Sequence, residues 1–126
     1  MVNSTAMADE KLRVELRDGV KAGDKVMVLE GVLNLETAFQ FRDQVRGNEA
    51  DTMILDMSGV RSMDSSGLGA IVGAYVSYDR NCRRLLLAGT NDRIWDVFRT
   101  CRLTDVFTRY HTVADAEQLS TAPVQA

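Results

Sequence analysis

Met63-Asp64-Ser65-Ser66-Gly67-Leu68-Gly69 is the hinge between two patterns of different period. Upstream, Met53-Ile54-Leu55-Asp56-Met57 is a short, nearly continuous apolar run, as expected of a central strand covered on both faces. Downstream, from Ser65 to about Tyr78, the apolar residues Leu68, Ile71, Val72, Tyr75 and Val76 recur at helical spacing. They form a stripe that faces a sheet. Ser58-Gly59-Val60-Arg61-Ser62 reads as the loop between them.

Working outward, Leu12, Val14 and Leu16 alternate with Arg13, Glu15 and Arg17, a half-buried strand. A turn from Asp18-Gly19 to Gly23-Asp24 leads to a second strand, Val26 to Leu29, and the two make a hairpin. Asn34 can cap a helix carrying Ala38, Phe41 and Val45 on its inner side, stopped by Gly47-Asn48. Arg84 to Ala88 is another buried strand. Thr90 or Asn91 caps a helix with Ile94, Val97, Phe98 and Cys101 inward. Asp92 lies near its start and Arg99 and Arg102 near its end, as the macrodipole prefers. Val106 to Tyr110 is an edge strand, and Thr112 to Leu119 a last short helix. The order β-β-α-β-α-β-α-β-α gives an α/β domain: a mixed sheet of about four to five strands with about four helices packed against it. Residues 1–10 read as a flexible arm, 11–119 as the domain, and 120–126, with the only proline, as a flexible tail.

The chain has 126 residues, 45% of them apolar, enough for one domain with one core. A net charge of −3 without a basic stripe speaks against nucleic acid. The apolar runs are too short to span a membrane, and Met1 to Lys11 lack the pattern of a signal peptide. Both favour the cytoplasm. Cys82 and Cys101 read as packing residues, and with His111 the sole histidine, no metal site is expected.

Asp64 or Ser65 is the expected N-cap of the long helix, with Ser66 in or beside its first turn. A helix start leaves four backbone N–H groups without intrahelical partners and carries the positive end of the dipole, so an anion there is tolerated. Phosphate on Ser65 would add about −1.5 to −2 charge beside Asp64. Spacing alone, however, is satisfied by a plain helix cap. Along the same helix Ser66, Ala70, Gly73 and Ser77 form a stripe of small residues, with Gly69 beside it. Interior glycines cost about 0.5–1 kcal/mol relative to Ala. A close contact should therefore offset Gly69 and Gly73, made either by a neighbouring helix of the same domain or by a partner.

Enzyme signatures fail. The segment lacks the first glycine of a Gly-x-Ser-x-Gly elbow, and His111 lies far along the chain. Gly67-x-Gly69-x-x-x-Gly73 is one residue too long for a dinucleotide fingerprint, with Val72 in the third glycine's place. No Gly-x-x-x-x-Gly-Lys loop occurs. Asp56 and Asp64 could pair as carboxylates, but the chain holds 18 acidic residues, most of which serve solvation. No enzymatic activity is expected.

Ile54-Leu55-Asp56-Met57, Val60 and Met63-Asp64-Ser65-Ser66-Gly67-Leu68-Gly69 together resemble the STAS domain of bacterial anti-sigma factor antagonists. The resemblance covers roughly residues 12–119, with further matches at Gly31-Val32-Leu33-Asn34 before Thr37-Ala38 and in the helix of Val97-Phe98. It implies that the unphosphorylated protein binds an anti-sigma factor, itself a serine kinase of the histidine-kinase-like ATPase fold, and so frees a sigma factor. It implies phosphorylation at Ser65, which breaks the complex, and reversal by a PP2C-type phosphatase. It implies no cofactor of the domain's own, since ATP and magnesium belong to the kinase. Asp64, Ser66, Gly67, Gly69, Ala70, Gly73, Ser77 and Asn34 are the expected partner-binding residues. Relatives with this switch often carry Asp where Asn34 stands, and many carry Gly where Arg102 stands.

Two other roles fit the same domain: an adaptor in a chemosensory, secretion-control or stressosome-like assembly, and a non-catalytic subunit of a lipid or small-molecule transport complex. The free protein is expected to be monomeric, because no long apolar stripe is left over. Trp95 and Phe39 fall off the inner stripes of their helices, as peripheral core residues or as interface anchors.

Overall fold

A computed structural model describes residues 11–120. Its elements are β1 (Leu12–Asp18), β2 (Asp24–Leu33), α1 (Leu35–Gly47), β3 (Thr52–Met63), α2 (Ser65–Arg80), β4 (Arg84–Ala88), α3 (Asp92–Thr100), β5 (Arg109–Tyr110) and α4 (Val113–Ser120). The expected arm lies outside the described residues, and so does the expected tail beyond Ser120, which closes α4.

The five strands form one sheet in chain order. β1 and β2 are antiparallel; β2, β3, β4 and β5 run parallel. This is the mixed α/β sheet with four helices that the sequence pattern implies. Strand side chains alternate between faces, and the three central strands show it residue by residue. Met27, Leu29, Met53, Leu55, Met57, Leu85 and Leu87 join the larger core, which Phe41 of α1, Leu68 and Ile71 of α2, and Ile94 and Phe98 of α3 complete. Val26, Ile54, Leu86 and Ala88 face the other way, onto Ala116 of α4. Each fully buried large apolar side chain contributes about 1.5–3 kcal/mol, so the first face holds most of the stability.

Aromatic rings tie the far end of that core together. Phe107, just before β5, meets Tyr75 at 4.9 Å and Phe98 edge-on at 5.2 Å between centroids, and Phe98 stacks on Trp95 at 5.3 Å. Trp95 is therefore buried, a core residue. The Arg109 guanidinium lies 5.5 Å from its ring centroid.

Several local expectations change. Ser58 to Ser62 is not a loop: it continues β3 and pairs with Glu30 to Val32 of β2 across two register shifts, after the β3–β4 ladder has ended at Asp56 and Ala88. Gly31 permits this irregularity at φ +120°, where a Cβ would stand 2.1 Å from the Lys11 carbonyl oxygen. The edge strand β5 is only Arg109–Tyr110, because Val106 and Phe107 turn back with their N–H groups on the Leu103 carbonyl. Both cysteines are exposed. Cys101 caps the C-terminus of α3 instead of lining its inner face, and Cys82 sits in a turn at φ +58°.

Candidate functional site

Leu33 and Met63 are register partners at the ends of β2 and β3. The chain turns into a helix directly after each, so Asn34 and Asp64 emerge side by side as the N-caps of α1 and α2. The Asp64 N–H donates to the Leu33 carbonyl at 3.0 Å and fastens the two exits together. β4 stops pairing earlier, at Ala88 opposite Asp56, and the following loop carries Asn91, the cap of α3, along β3, where its side-chain amide reaches the Val60 carbonyl at 3.4 Å. Three helix N-termini thus share one edge of the sheet, each placing positive partial charge there.

Asn34 builds a reciprocal cap. Its Oδ1 accepts from the Thr37 N–H at 3.1 Å, and its own N–H donates to Thr37 Oγ1 at 2.9 Å. Asp64 is the cap of α2, not Ser65: Oδ1 accepts from the N–H groups of Ser66 at 2.9 Å and Gly67 at 3.0 Å. This changes the electrostatics expected at the site. The first-turn donors of Ser66 and Gly67 that a phosphate on Ser65 was expected to meet are already taken by the Asp64 carboxylate. A phosphate would keep the favourable helix dipole but stand against that carboxylate.

Ser65 is the first residue of α2 and is exposed. Ser66 is half-buried. Gly67 is buried against β2, where a Cβ would lie 2.5 Å from the Leu33 carbonyl oxygen, so only glycine fits. The edge therefore gathers Asn34, Asp64, Ser65 and Ser66 at the surface, while Gly67 serves the packing beneath.

The remaining expected residues divide. The buried face of α2 is Gly67, Leu68, Ala70, Ile71, Ala74 and Tyr78. Val76, expected inward, is 42% exposed, and Val72 and Tyr75 are half-buried. The helix is rotated from the expected stripe because alanines, not only large residues, make its contact with α1. Ala70 belongs to that contact, whereas Gly73 and Ser77 are exposed along the groove between α1 and α2. Among the described residues, Gly69 and Gly73 have no atom from outside their own turns of helix within 4 Å of where a Cβ would be. The close contact expected to offset them is not made by the described residues. Phe39 is 61% exposed, with the Arg42 guanidinium 5.8 Å from its ring centroid.

Among the described residues no helix is long and apolar enough to cross a membrane. The STAS domain family profile matches residues 11–116. The anti-sigma-B factor antagonist of Listeria monocytogenes is 36% identical over 58 residues, 46% of this chain and 51% of that protein. The chain thus spans about half the length of the curated relative it matches. The crystal structure of an anti-sigma factor antagonist from Mycobacterium paratuberculosis superposes with a TM-score of 0.75 at 17% identity, covering 86% of this chain and 92% of that one. The Bacillus cell fate determinant SpoIIAA in its phosphorylated form superposes with a TM-score of 0.67 at 21% identity, covering 86% and 99%. At these identities the two structures bear on the fold alone.

Proposed function

The chain belongs to the STAS domain family, and on that premise we propose that it is a phosphorylation-switched binding module with no catalytic activity of its own. In this reading the unphosphorylated protein binds an anti-sigma factor that is also a serine kinase, and a sigma factor is released. Phosphorylation at Ser65 ends the complex, a PP2C-type phosphatase restores it, and the cycle runs in the cytoplasm. The named anti-sigma-B factor antagonist among its relatives supports the partner class.

The observation that carries the reading is the division of labour between Asp64 and Ser65. Asp64 does the capping, so the exposed Ser65 hydroxyl is not needed to hold the helix and is open to a kinase. Phosphate there adds about −1.5 to −2 charge next to a carboxylate that is already fixed. Charge and bulk change together on a surface whose backbone is held by Leu33, Asp64 and Gly67. The fold stays, and the complementarity to a partner is lost.

The test is intact-mass spectrometry with peptide mapping after incubation with ATP, magnesium and the anti-sigma factor kinase of the same cell. One phosphate on Ser65 is expected. Stable binding of that kinase without modification would instead favour a constitutive STAS adaptor.

A further inference from the structure

Between α1 and α2 lies a groove of about 270 Å³, near the lower end of the range for small-molecule sites, about 300–1,000 Å³. Its floor is Ala70, Gly73 and Ala74 of α2, with Tyr78 at one end. These side chains are small and leave room: among the described residues, a Cβ on Gly73 would meet nothing from outside its own turns of helix within 4 Å. Burial raises the Tyr78 phenol above its ordinary value, so it adds no negative charge at neutral pH.

The rim is cationic in a chain whose net charge is −3. Arg42 and Arg46, one helical turn apart on α1, line one side. Across the groove Arg83 is already held by Glu49 at 3.2 Å. Among the described ion pairs Arg42 and Arg46 have no carboxylate partner. Two guanidiniums at this spacing, beside an apolar floor, match an anionic head with a compact apolar body.

We propose that the α1–α2 groove is a binding site for a small organic anion, its carboxylate or phosphate head paired with Arg42 and Arg46 and its apolar body on Ala70, Gly73 and Ala74. The site is distinct from Ser65, because Gly73 lies two turns further along α2, about 12 Å at helical rise. It does not depend on the switch proposed above.

The test is an amide NMR titration of the full chain with phenyl phosphate, with benzyl alcohol and inorganic phosphate as half-probes. Phenyl phosphate is expected to give saturable shifts centred on Arg42, Arg46, Gly73 and Ser77, with a dissociation constant on the order of 1 mM or tighter. Each half-probe should bind at least about tenfold more weakly, and R42Q/R46Q should lose about tenfold in affinity for phenyl phosphate at unchanged Tm. G73L fills the groove and should abolish the saturable shifts with both arginines in place. Shifts that do not saturate or are scattered over the surface, equal binding of inorganic phosphate, or undiminished binding by R42Q/R46Q would each overturn the proposal.

Discussion

The Leu33 carbonyl serves both Asp64 and Gly67: it accepts the Asp64 N–H at 3.0 Å, and a Cβ on Gly67 would stand 2.5 Å from its oxygen. Main chain cannot yield as a side-chain tip can. Gly67→Ala is therefore expected to destabilise by about 1–3 kcal/mol, the usual cost of overpacking. Gly69→Ala and Gly73→Ala, which meet open space, should each stabilise by about 0.5–1 kcal/mol. Urea denaturation of the three variants checks the contrast, and a neutral Gly67→Ala would contradict the contact.

Asp64→Ala removes the side chain that accepts from Ser66 and Gly67 and should cost about 0.5–2 kcal/mol. Asn caps nearly as well, so Asp64→Asn should retain most of the stability. Thermal unfolding of the pair separates the cap from the charge.

Ser65→Ala should leave stability within about 0.5 kcal/mol of the parent, as exposed substitutions usually do. It should bind the anti-sigma factor and accept no phosphate. Ser65→Asp should fold equally well yet bind weakly, though with less charge than phosphate. Isothermal titration of both variants against the anti-sigma factor decides; tight binding by Ser65→Asp would count against the electrostatic switch.

Asp92 receives the Arg109 guanidinium at 2.8 Å, and this hydrogen bond and charge hold its carboxyl below the ordinary carboxylate value. A depressed folded-state pKa means the contribution is complete above the unfolded value, about 3.9. It is lost as pH falls through the lower, folded value. Asp92→Asn should therefore lower Tm slightly at neutral pH, where the pair is complete, and converge on the parent as pH falls, which flattens the acid limb below about pH 4. An acid limb identical to the parent's would show that the pair contributes nothing.

The strands β1, β2 and β4 and the three helix starts were legible because their signals are local: alternation in β1, continuous apolar runs in the centre, and Asn or Asp before each helix. The Ser65 edge was legible for the same reason. What escaped depended on distant partners. Ser58 to Ser62 is mostly polar and reads as a loop, yet β2 runs beside it and supplies the ladder. The rotation of α2 escaped because alanine carries little hydrophobic signal, and only the position of α1 makes Ala70 and Ala74 interior. Gly73 and Gly67 look alike in sequence, while one faces open space and the other a carbonyl. Trp95 is ambiguous in the sequence because the groups that cover it are Phe98 on its own helix and Arg109 from further along the chain.

β3 runs on through Met57 to Met63 after β4 has stopped pairing with it, and Leu33, Val60 and Leu68 keep the core continuous beneath the exposed Ser65. Exposed positions on this surface, such as Ser62, Ser65 and Gly69, can be exchanged with little cost to folding. Gly67 and Leu33 keep the platform fixed beneath them.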